Sequence, residues 1–186
     1  LAALLASRIC HDLISPIGAI GNGLELLMME TGARGPEMAL ISESVAHANA
    51  RIRFFRVAFG AAQGEARLGR AEVASIVGDM TKGGRLTIDW QTGSDLSRTE
   101  VKIAFLLLLC LESAMAYGGR ITVQVDGGRW SIQGEAPKLK IDPALWAVLA
   151  DPTAAPEITP SSVHFPLAAE EIAKRQVIID ESMGRH

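Results

Sequence analysis

Residues 7–20 read Ser-Arg-Ile-Cys-His-Asp-Leu-Ile-Ser-Pro-Ile-Gly-Ala-Ile, and the fold can be worked out from this stretch. On a helix of about 3.6 residues per turn, the apolar residues in and around it gather on one stripe. The stripe contains Leu5, Ile9, Leu13, Pro16, Ile17, Ile20, Leu24 and Leu27. His11 falls almost opposite the stripe, so it is predicted to face solvent. We therefore predict one amphipathic helix over residues 1 to about 30, with a histidine on its open side.

His11 is followed at once by an acid, Asp12. A neutral imidazole is a good nucleophile near pH 7, because its ordinary pKa is about 6.5. A carboxylate that accepts a hydrogen bond from Nδ1–H fixes the ring tautomer and stabilises positive charge as it develops. Pro16 has no N–H to donate to the carbonyl of Asp12, so the helix is expected to loosen or bend there. The alternative is an ordinary helix histidine, with Asp12 acting like an N-cap and Pro16 marking the start of a helix.

Composition excludes several classes of protein. The 186 residues form one large domain or two small ones, and the net charge of -3 without a basic run gives no footprint for nucleic-acid binding. The longest apolar segment, 103–111, is too short to span a bilayer, and Arg8 interrupts the N-terminal apolar run that a signal peptide needs. Cys10 and Cys110 make no zinc or CxxC pattern, so buried reduced thiols in a cytoplasmic protein are expected. No metal-binding cluster is predicted.

A second long helix is predicted from residue 36 to about 63, with Pro36 at its first position after a glycine-rich turn. Its apolar residues follow a heptad seam of Met38, Ile41, Val45, Ala48, Ile52, Phe55 and Phe59. Residues 1–64 are therefore predicted to form an antiparallel helical hairpin. One hairpin cannot bury both stripes, but two hairpins can, as the four-helix bundle of a homodimer. The alternative is that later helices of the same chain close the bundle.

Residues 68–186 are predicted to form a separate α/β domain, which makes the whole chain α+β. Ser97 with Glu100 forms a capping box, and the helix after it is apolar nearly all round, as expected for a buried helix. Helices are also expected at 71–80, 143–149 and 163–175, and strands at 85–92, 120–125, 129–133 and 176–180. Helices on one face of this mixed sheet give an α/β sandwich. The hairpin cut free of this domain is expected to remain helical and dimeric.

His11-Asp12-Leu13 followed by Pro16 resembles the H-box of histidine kinases and histidine phosphotransferases, whose core reads His-Asp/Glu-Leu-x-x-Pro. The resemblance implies that His11 is the phosphoacceptor through Nε2, that Asp12 is its acidic partner, and that Pro16 is the helix-kinking proline. It also implies a dimerisation and phosphotransfer domain built from two helical hairpins.

The order of elements after residue 68 resembles the ATP-binding GHKL, or Bergerat, domain of histidine kinases. Ser113 stands where that family holds Mg²⁺ with an asparagine, and Leu109 stands at the upstream Asn or Glu position. Residues 133–138 lack the Asp-x-Gly-x-Gly motif, and residues 151–156 contain no glycine for a lid. The resemblance therefore implies a degenerate domain that has kept its scaffold and lost its ATP site.

This combination is similar to the ChpT-type histidine phosphotransferases over nearly the whole chain. The resemblance implies a phosphotransferase that shuttles a phosphoryl group between receiver-domain aspartates in a bacterial phosphorelay, through phosphorylated His11. The donor would be the receiver domain of a hybrid histidine kinase, and the acceptors would be response regulators. No cofactor is expected on this chain, and the receiver is expected to bring Mg²⁺. The alternatives are an active histidine kinase with a divergent ATP site and a non-catalytic dimeric scaffold.

A docking receiver must reach His11 from the outward side of the first helix. The residues predicted on this docking face are Ser7, Ile14, Gly18, Gly21, Asn22 and Glu25. An exposed Ile14 suggests contact with an apolar patch of the partner, and glycines permit close approach. The alternative is that Ile14 packs against its own chain and the glycines only accompany a kinked helix.

Overall fold

The computed structural model describes residues 2–31, 35–62, 66–151, 153–154 and 156–175, without the side chains of residues 4, 5, 7, 30 and 31. Two long helices, α1 (Ala2–Thr31) and α2 (Pro36–Ala58), pack against each other as the predicted hairpin. Pro36 begins α2 as expected, because its missing N–H is an unpaired donor there anyway. α1 continues through Pro16 without a break, although the carbonyl of Asp12 loses its usual donor at that point.

The rest of the chain is a mixed α/β unit. Its elements are β1 (Arg67–Leu68), α3 (Arg70–Thr81), β2 (Leu86–Gln91), β3 (Leu96–Ser97), α4 (Arg98–Ala114), β4 (Gly119–Asp126), β5 (Arg129–Glu135), α5 (Pro143–Ala150) and α6 (His164–Lys174). The predicted capping box is present: the Ser97 hydroxyl accepts from the Glu100 N–H, and the Glu100 carboxylate accepts from the Ser97 N–H. The described elements therefore confirm a mixed α+β architecture.

The main sheet has the strand order β2-β4-β5, with β2 parallel and β5 antiparallel to β4. Its buried face carries Trp90, Ile121 and Val123, while the alternate residues on the other face are polar. Gly118 precedes β4 with a φ of 91°, and a Cβ there would lie 2.5 Å from the Arg85 carbonyl oxygen. Only glycine fits this close approach, which brings β4 against β2.

The hydrophobic core is built around α4 and extends into α2. Phe105 of α4 is fully buried and stacks on Phe54 of α2, with ring centroids 4.2 Å apart. Trp90 of β2 meets the edge of the Phe105 ring. Ion pairs join the same elements: Arg51 bonds Glu112 at 2.7 Å, and Arg53 bonds Asp79 at 3.0 Å. The hairpin and the α/β unit therefore share one core in the described residues.

This shared core corrects the heptad seam predicted for α2. The buried residues of α2 are Ala50, Phe54, Val57 and Ala58, whereas Ile41 of the seam is exposed and the other seam residues are only partly buried. The heptad pattern described one face of α2, and the α/β unit packs on the other. Periodicity alone does not show which of two apolar faces a neighbouring element will cover.

The stripe on α1 remains open in the single chain. Ile9, Leu13, Ile20 and Leu27 are 50%, 44%, 54% and 45% exposed, whereas Ile17 and Leu24 are partly buried. Such a contiguous apolar row on a helix is typical of an interaction surface.

Some predicted features cannot be compared. Most of the glycine-rich turn before Pro36, at residues 32–34, and the last predicted strand, at 176–180, lie outside the described residues. The sequence reasoning missed the antiparallel pairing of β1 with β3, where Arg67 is opposite Ser97. Strands of two residues are too short to show alternation, so no pattern could have revealed them.

Candidate functional site

His11 projects from the middle of the first half of α1 into solvent, with 80% of its side chain exposed. Its Nδ1 lies 3.2 Å from Asp12 Oδ1. A carboxylate can only accept, so Nδ1 is the donor of this hydrogen bond. In the neutral ring, Nε2 then carries an unprotonated lone pair that points away from Asp12, which is the arrangement a nucleophilic imidazole needs.

Arg8 belongs to the same site and was missed by the sequence reasoning. Its Nε donates to Asp12 Oδ2 at 2.8 Å, while Asp12 Oδ1 faces His11. The hydrogen bonds from His11 and Arg8 lower the pKa of Asp12, so this acid is a carboxylate near pH 7. The signal was available, because Arg8 precedes Asp12 by four residues, the spacing of helix side-chain pairs.

The other histidines differ from His11 in ways that matter for chemistry. His47 is exposed, but its Nε2 lies 3.1 Å from the Lys82 carbonyl oxygen and so acts as the donor. His164 is 8% exposed at the start of α6. Burial lowers its pKa, and the negative charge of Glu112 raises it by a smaller amount. Of the histidines that the structure describes, His11 alone has an accessible Nε2 without a hydrogen-bond partner, because its carboxylate partner Asp12 bonds the other ring nitrogen, Nδ1.

Comparison with known proteins decides the family. A model of the family described as "Histidine phosphotransferase C-terminal domain" matches residues 70–177. The protein phosphotransferase ChpT of Brucella abortus (strain 2308) is 37% identical over 149 residues, which cover 77% of this chain and 71% of the relative. This chain belongs to the histidine phosphotransferase family.

A solved structure agrees with this assignment. The structure described as that of a bacterial phosphotransferase at 1.7 Å has 31% identity and a TM-score of 0.64, over 93% of this chain and 85% of that one. The predicted histidine phosphotransferase activity is thereby confirmed for this protein, and a kinase or a non-catalytic scaffold is not favoured.

Three of the six residues predicted for receiver docking lie on the open side of α1. Asn22 and Glu25 are exposed, and a Cβ added at Gly18 would meet nothing within 4 Å. Ile14 is partly buried rather than exposed, so it offers less apolar surface than the sequence suggested. The Ser7 side chain lies outside the described part of the chain.

Gly21 requires a correction. A Cβ at this position would lie 3.5 Å from Val45 Cγ1 of α2, so Gly21 faces the hairpin partner rather than a docking protein. The glycine allows close packing of α1 on α2. Gly21 is therefore unsuited to the predicted docking face.

Leu109 and Ser113, the residues that stand where kinases have ATP-site residues, take part in packing and hydrogen bonding within this chain. Leu109 is buried in the core, and the Ser113 hydroxyl donates to the Cys110 carbonyl oxygen at 2.7 Å. Glu112 between them is engaged by Arg51. Among the described residues, no group of three or more His, Cys, Asp or Glu side chains is arranged to hold a metal ion. None of the described helices is long and apolar enough to cross a membrane.

Proposed function

We propose that this phosphotransferase carries the phosphoryl group on Nε2 of His11, between receiver-domain aspartates of a bacterial phosphorelay. The observation that carries the proposal is the 3.2 Å hydrogen bond from Nδ1 to Asp12, on a ring whose Nε2 is free and open to solvent. The exposed position suits a group that must meet another protein, because a receiver's aspartyl phosphate has to come within bonding distance.

The transfer step is simple in chemical terms. The lone pair of His11 Nε2 attacks phosphorus of the aspartyl phosphate, the P–O bond to the aspartate breaks, and the aspartate leaves as a carboxylate. The proton on Nδ1 stays on the ring, where the carboxylate of Asp12 stabilises the imidazolium charge. The reverse step returns the phosphoryl group to the aspartate of a response regulator.

Replacing Asp12 by alanine is expected to slow transfer by about 10²-fold, the low end for an acid–base partner, because the pair is exposed to water. The measurement is the single-turnover rate from a labelled receiver. Asp12→Asn is the matched control, since its amide oxygen can still accept from Nδ1–H without a charge. If Asp12→Asn is as slow as Asp12→Ala, the charge matters; if it recovers the rate, orientation matters. Wild-type rates in both variants would remove Asp12 from the mechanism.

We infer that the α/β unit is a degenerate GHKL domain that docks receivers and does not supply ATP chemistry. Leu109 has no side-chain oxygen, and Ser113 offers one neutral hydroxyl in place of the amide or carboxylate oxygens that suit Mg²⁺. Phosphoryl transfer needs positioning and charge neutralisation, so Mg²⁺ would enter with the receiver. This chain would then bind no cofactor of its own, and its receivers would place it in the cytoplasm.

We also propose that the hairpin, residues 1–64, forms a four-helix bundle with a second copy, while residues 68–186 form the other domain. The half-exposed apolar residues of the α1 stripe support this arrangement. Full burial of a Leu or Ile side chain stabilises by about 1.5–3 kcal/mol, so covering the exposed half of each contributes about 1 kcal/mol. In a symmetric dimer both copies contribute these four residues, so the stabilising free energy is doubled and association of two copies is favoured.

The docking face is tested best at Gly18, which lies two turns from His11 on the same side of α1. We expect Gly18→Arg to lower transfer by at least about tenfold, because the new side chain has open space on this chain and would collide only with a partner. Gly23→Arg is the matched control: its Cβ would also meet nothing within 4 Å, but it points to another side of the helix. Equal rates in both variants, with the oligomeric state unchanged, would place docking elsewhere.

The function itself is tested by incubating the protein with a ³²P-labelled receiver domain of a hybrid histidine kinase from the same organism, with Mg²⁺. We expect label on this chain that is lost in acid and retained in base, as for a phosphorus–nitrogen bond. A parallel reaction with labelled ATP alone should give no label. Label from ATP alone would favour a kinase, and no label from any receiver would favour a scaffold.

A further inference from the structure

Three arginines lie in the last turns of α2, and two of them have carboxylate partners. Arg51 bonds Glu112 at 2.7 Å and Arg53 bonds Asp79 at 3.0 Å, so both hold the α/β unit against the hairpin. The third, Arg56, is exposed and forms no ion pair with any carboxylate in the described part of the chain. Its positive charge is therefore not needed to join these elements.

The register of the hairpin places Arg56 beside the phosphoacceptor. Gly21 of α1 faces Val45 of α2, and in an antiparallel pair each step back along α1 is a step forward along α2. Cys10, the residue before His11, therefore lies opposite Arg56. Electrostatics agrees with this position: burial raises the pKa of Cys10, and the charge of Arg56 is the opposing influence that lowers it.

A second arginine stands next to Arg56. Arg98, in the first turn of α4, donates through Nη2 to the Arg56 carbonyl oxygen at 3.1 Å and through Nε to the Ala61 carbonyl oxygen at 3.3 Å. Burial lowers the pKa of Arg98, and the neighbouring charge of Arg56 lowers it further, while Glu72 acts in the opposite direction. Two arginines held close together repel each other unless an anion comes between or beside them.

We propose that Arg56 and Arg98 form a basic patch beside His11 that attracts the anionic surface of the phosphoryl donor and so sets the rate of docking. The proposal rests on the proposed function, because it names the chemistry of the partner at that same site. A phosphorylated aspartate brings about 1.5–2 negative charges, and the Mg²⁺ beside it must be held by oxygen ligands, chiefly carboxylates. The region of the donor that approaches His11 is therefore acidic.

The nearest cation to His11 along α1, Arg8, is already neutralised by Asp12. Arg56 thus supplies uncompensated positive charge on this side of the hairpin, and Arg98, which Glu72 offsets in part, adds to it. Arg98 also ties α4 to the end of α2, so its removal would disturb packing. Arg56 is the informative residue, because its guanidinium is exposed and makes no hydrogen bond or ion pair with the other described residues.

Complementary charge at the rim of an interface acts mainly on the association rate, and its effect fades as salt screens it. We therefore expect Arg56→Ala to lower kcat/KM for transfer from the phosphorylated receiver about fivefold at low salt, through KM, and Arg56→Glu to lower it about thirtyfold. Arg56→Lys should keep most of the rate. The slope of log kcat/KM against log salt should become shallower in Arg56→Ala.

Arg53→Ala is the matched control, since it removes the same charge from the same helix on the side of Asp79. It should leave kcat/KM and its salt dependence near wild type. The second readout is labelling by phosphoramidate, a small phosphodonor that transfers its phosphoryl group directly to imidazole nitrogen with release of ammonia and needs no docking. Phosphoramidate should label His11 equally in wild type and in every Arg56 variant.

The two outcomes of this pair of assays separate the proposals. Equal receiver kinetics in Arg56→Ala and Arg53→Ala, or a loss that appears in kcat without salt dependence, would overturn the basic patch while His11 labelling stands. Phosphoramidate or receiver label on a residue other than His11 would overturn both the proposed function and the patch. Circular dichroism and sedimentation of each variant show that fold and oligomeric state are unchanged.

Discussion

His11→Ala is expected to reduce transferable, acid-labile phosphate on this chain by at least about 10³-fold, because neither His47 nor His164 has an accessible, free Nε2 to replace the missing nucleophile. The fold should survive the change. The side chain is 80% exposed and its hydrogen bond joins only the adjacent residue, so little packing is lost. Alanine also has a higher helix propensity than histidine. The measurements are single-turnover labelling from a phosphorylated receiver and far-ultraviolet circular dichroism.

His47→Ala is the matched control for this experiment. His47 is also exposed on a long helix of the hairpin, but its Nε2 donates to the Lys82 carbonyl oxygen and is not free to attack. We expect it to accept phosphate at the wild-type rate. A His11→Ala protein that still carries acid-labile phosphate, or a His47→Ala protein that does not, would contradict the assignment of the phosphoacceptor.

The parts of this molecule that the sequence predicted well are those decided by neighbouring residues. The capping box of Ser97 and Glu100 and the Nδ1 bond between His11 and Asp12 both form between residues close in the chain. Local backbone and side-chain geometry fixes such contacts almost regardless of the remaining fold. The family was also recognisable, because its H-box is a local motif.

The parts that the sequence did not predict depend on which elements meet in space. Nothing near Gly21 in the chain shows that Val45 will lie against it, and nothing near Phe54 shows that Phe105 will stack on it. The heptad seam selected Phe55 instead of Phe54 because both neighbouring faces of α2 are apolar. The sequence could not single out Arg56 for the same reason. Arg51 and Arg53 pair with carboxylates of the α/β unit and Arg56 does not, and only the fold shows this difference.

Phe54→Ala is expected to destabilise the protein by about 3–5 kcal/mol, the range for removing a buried phenylalanine. Phe54 has no exposed surface, and its ring stacks at 4.2 Å on Phe105, which is also fully buried. Since whole domains are stable by only about 5–15 kcal/mol, a loss of this size should lower the midpoint of urea unfolding strongly. Phe59→Ala is the control, because Phe59 is only partly buried and should cost clearly less.

The same contact changes what we expect of the isolated hairpin. Removing residues 70–186 would expose Phe54, Val57 and Ala58 to water and leave Arg51 and Arg53 without their carboxylates. We therefore expect the hairpin alone to lose helix at the end of α2 and to associate through that newly exposed face, rather than to remain the well-formed dimer that its heptad pattern suggested.

If Phe54→Ala unfolds at the same urea concentration as Phe59→Ala, the two units are independent after all, and the truncated hairpin should then be folded. Concerted loss of hairpin and α/β signals in a single unfolding transition would instead follow from one core that spans α2 and α4.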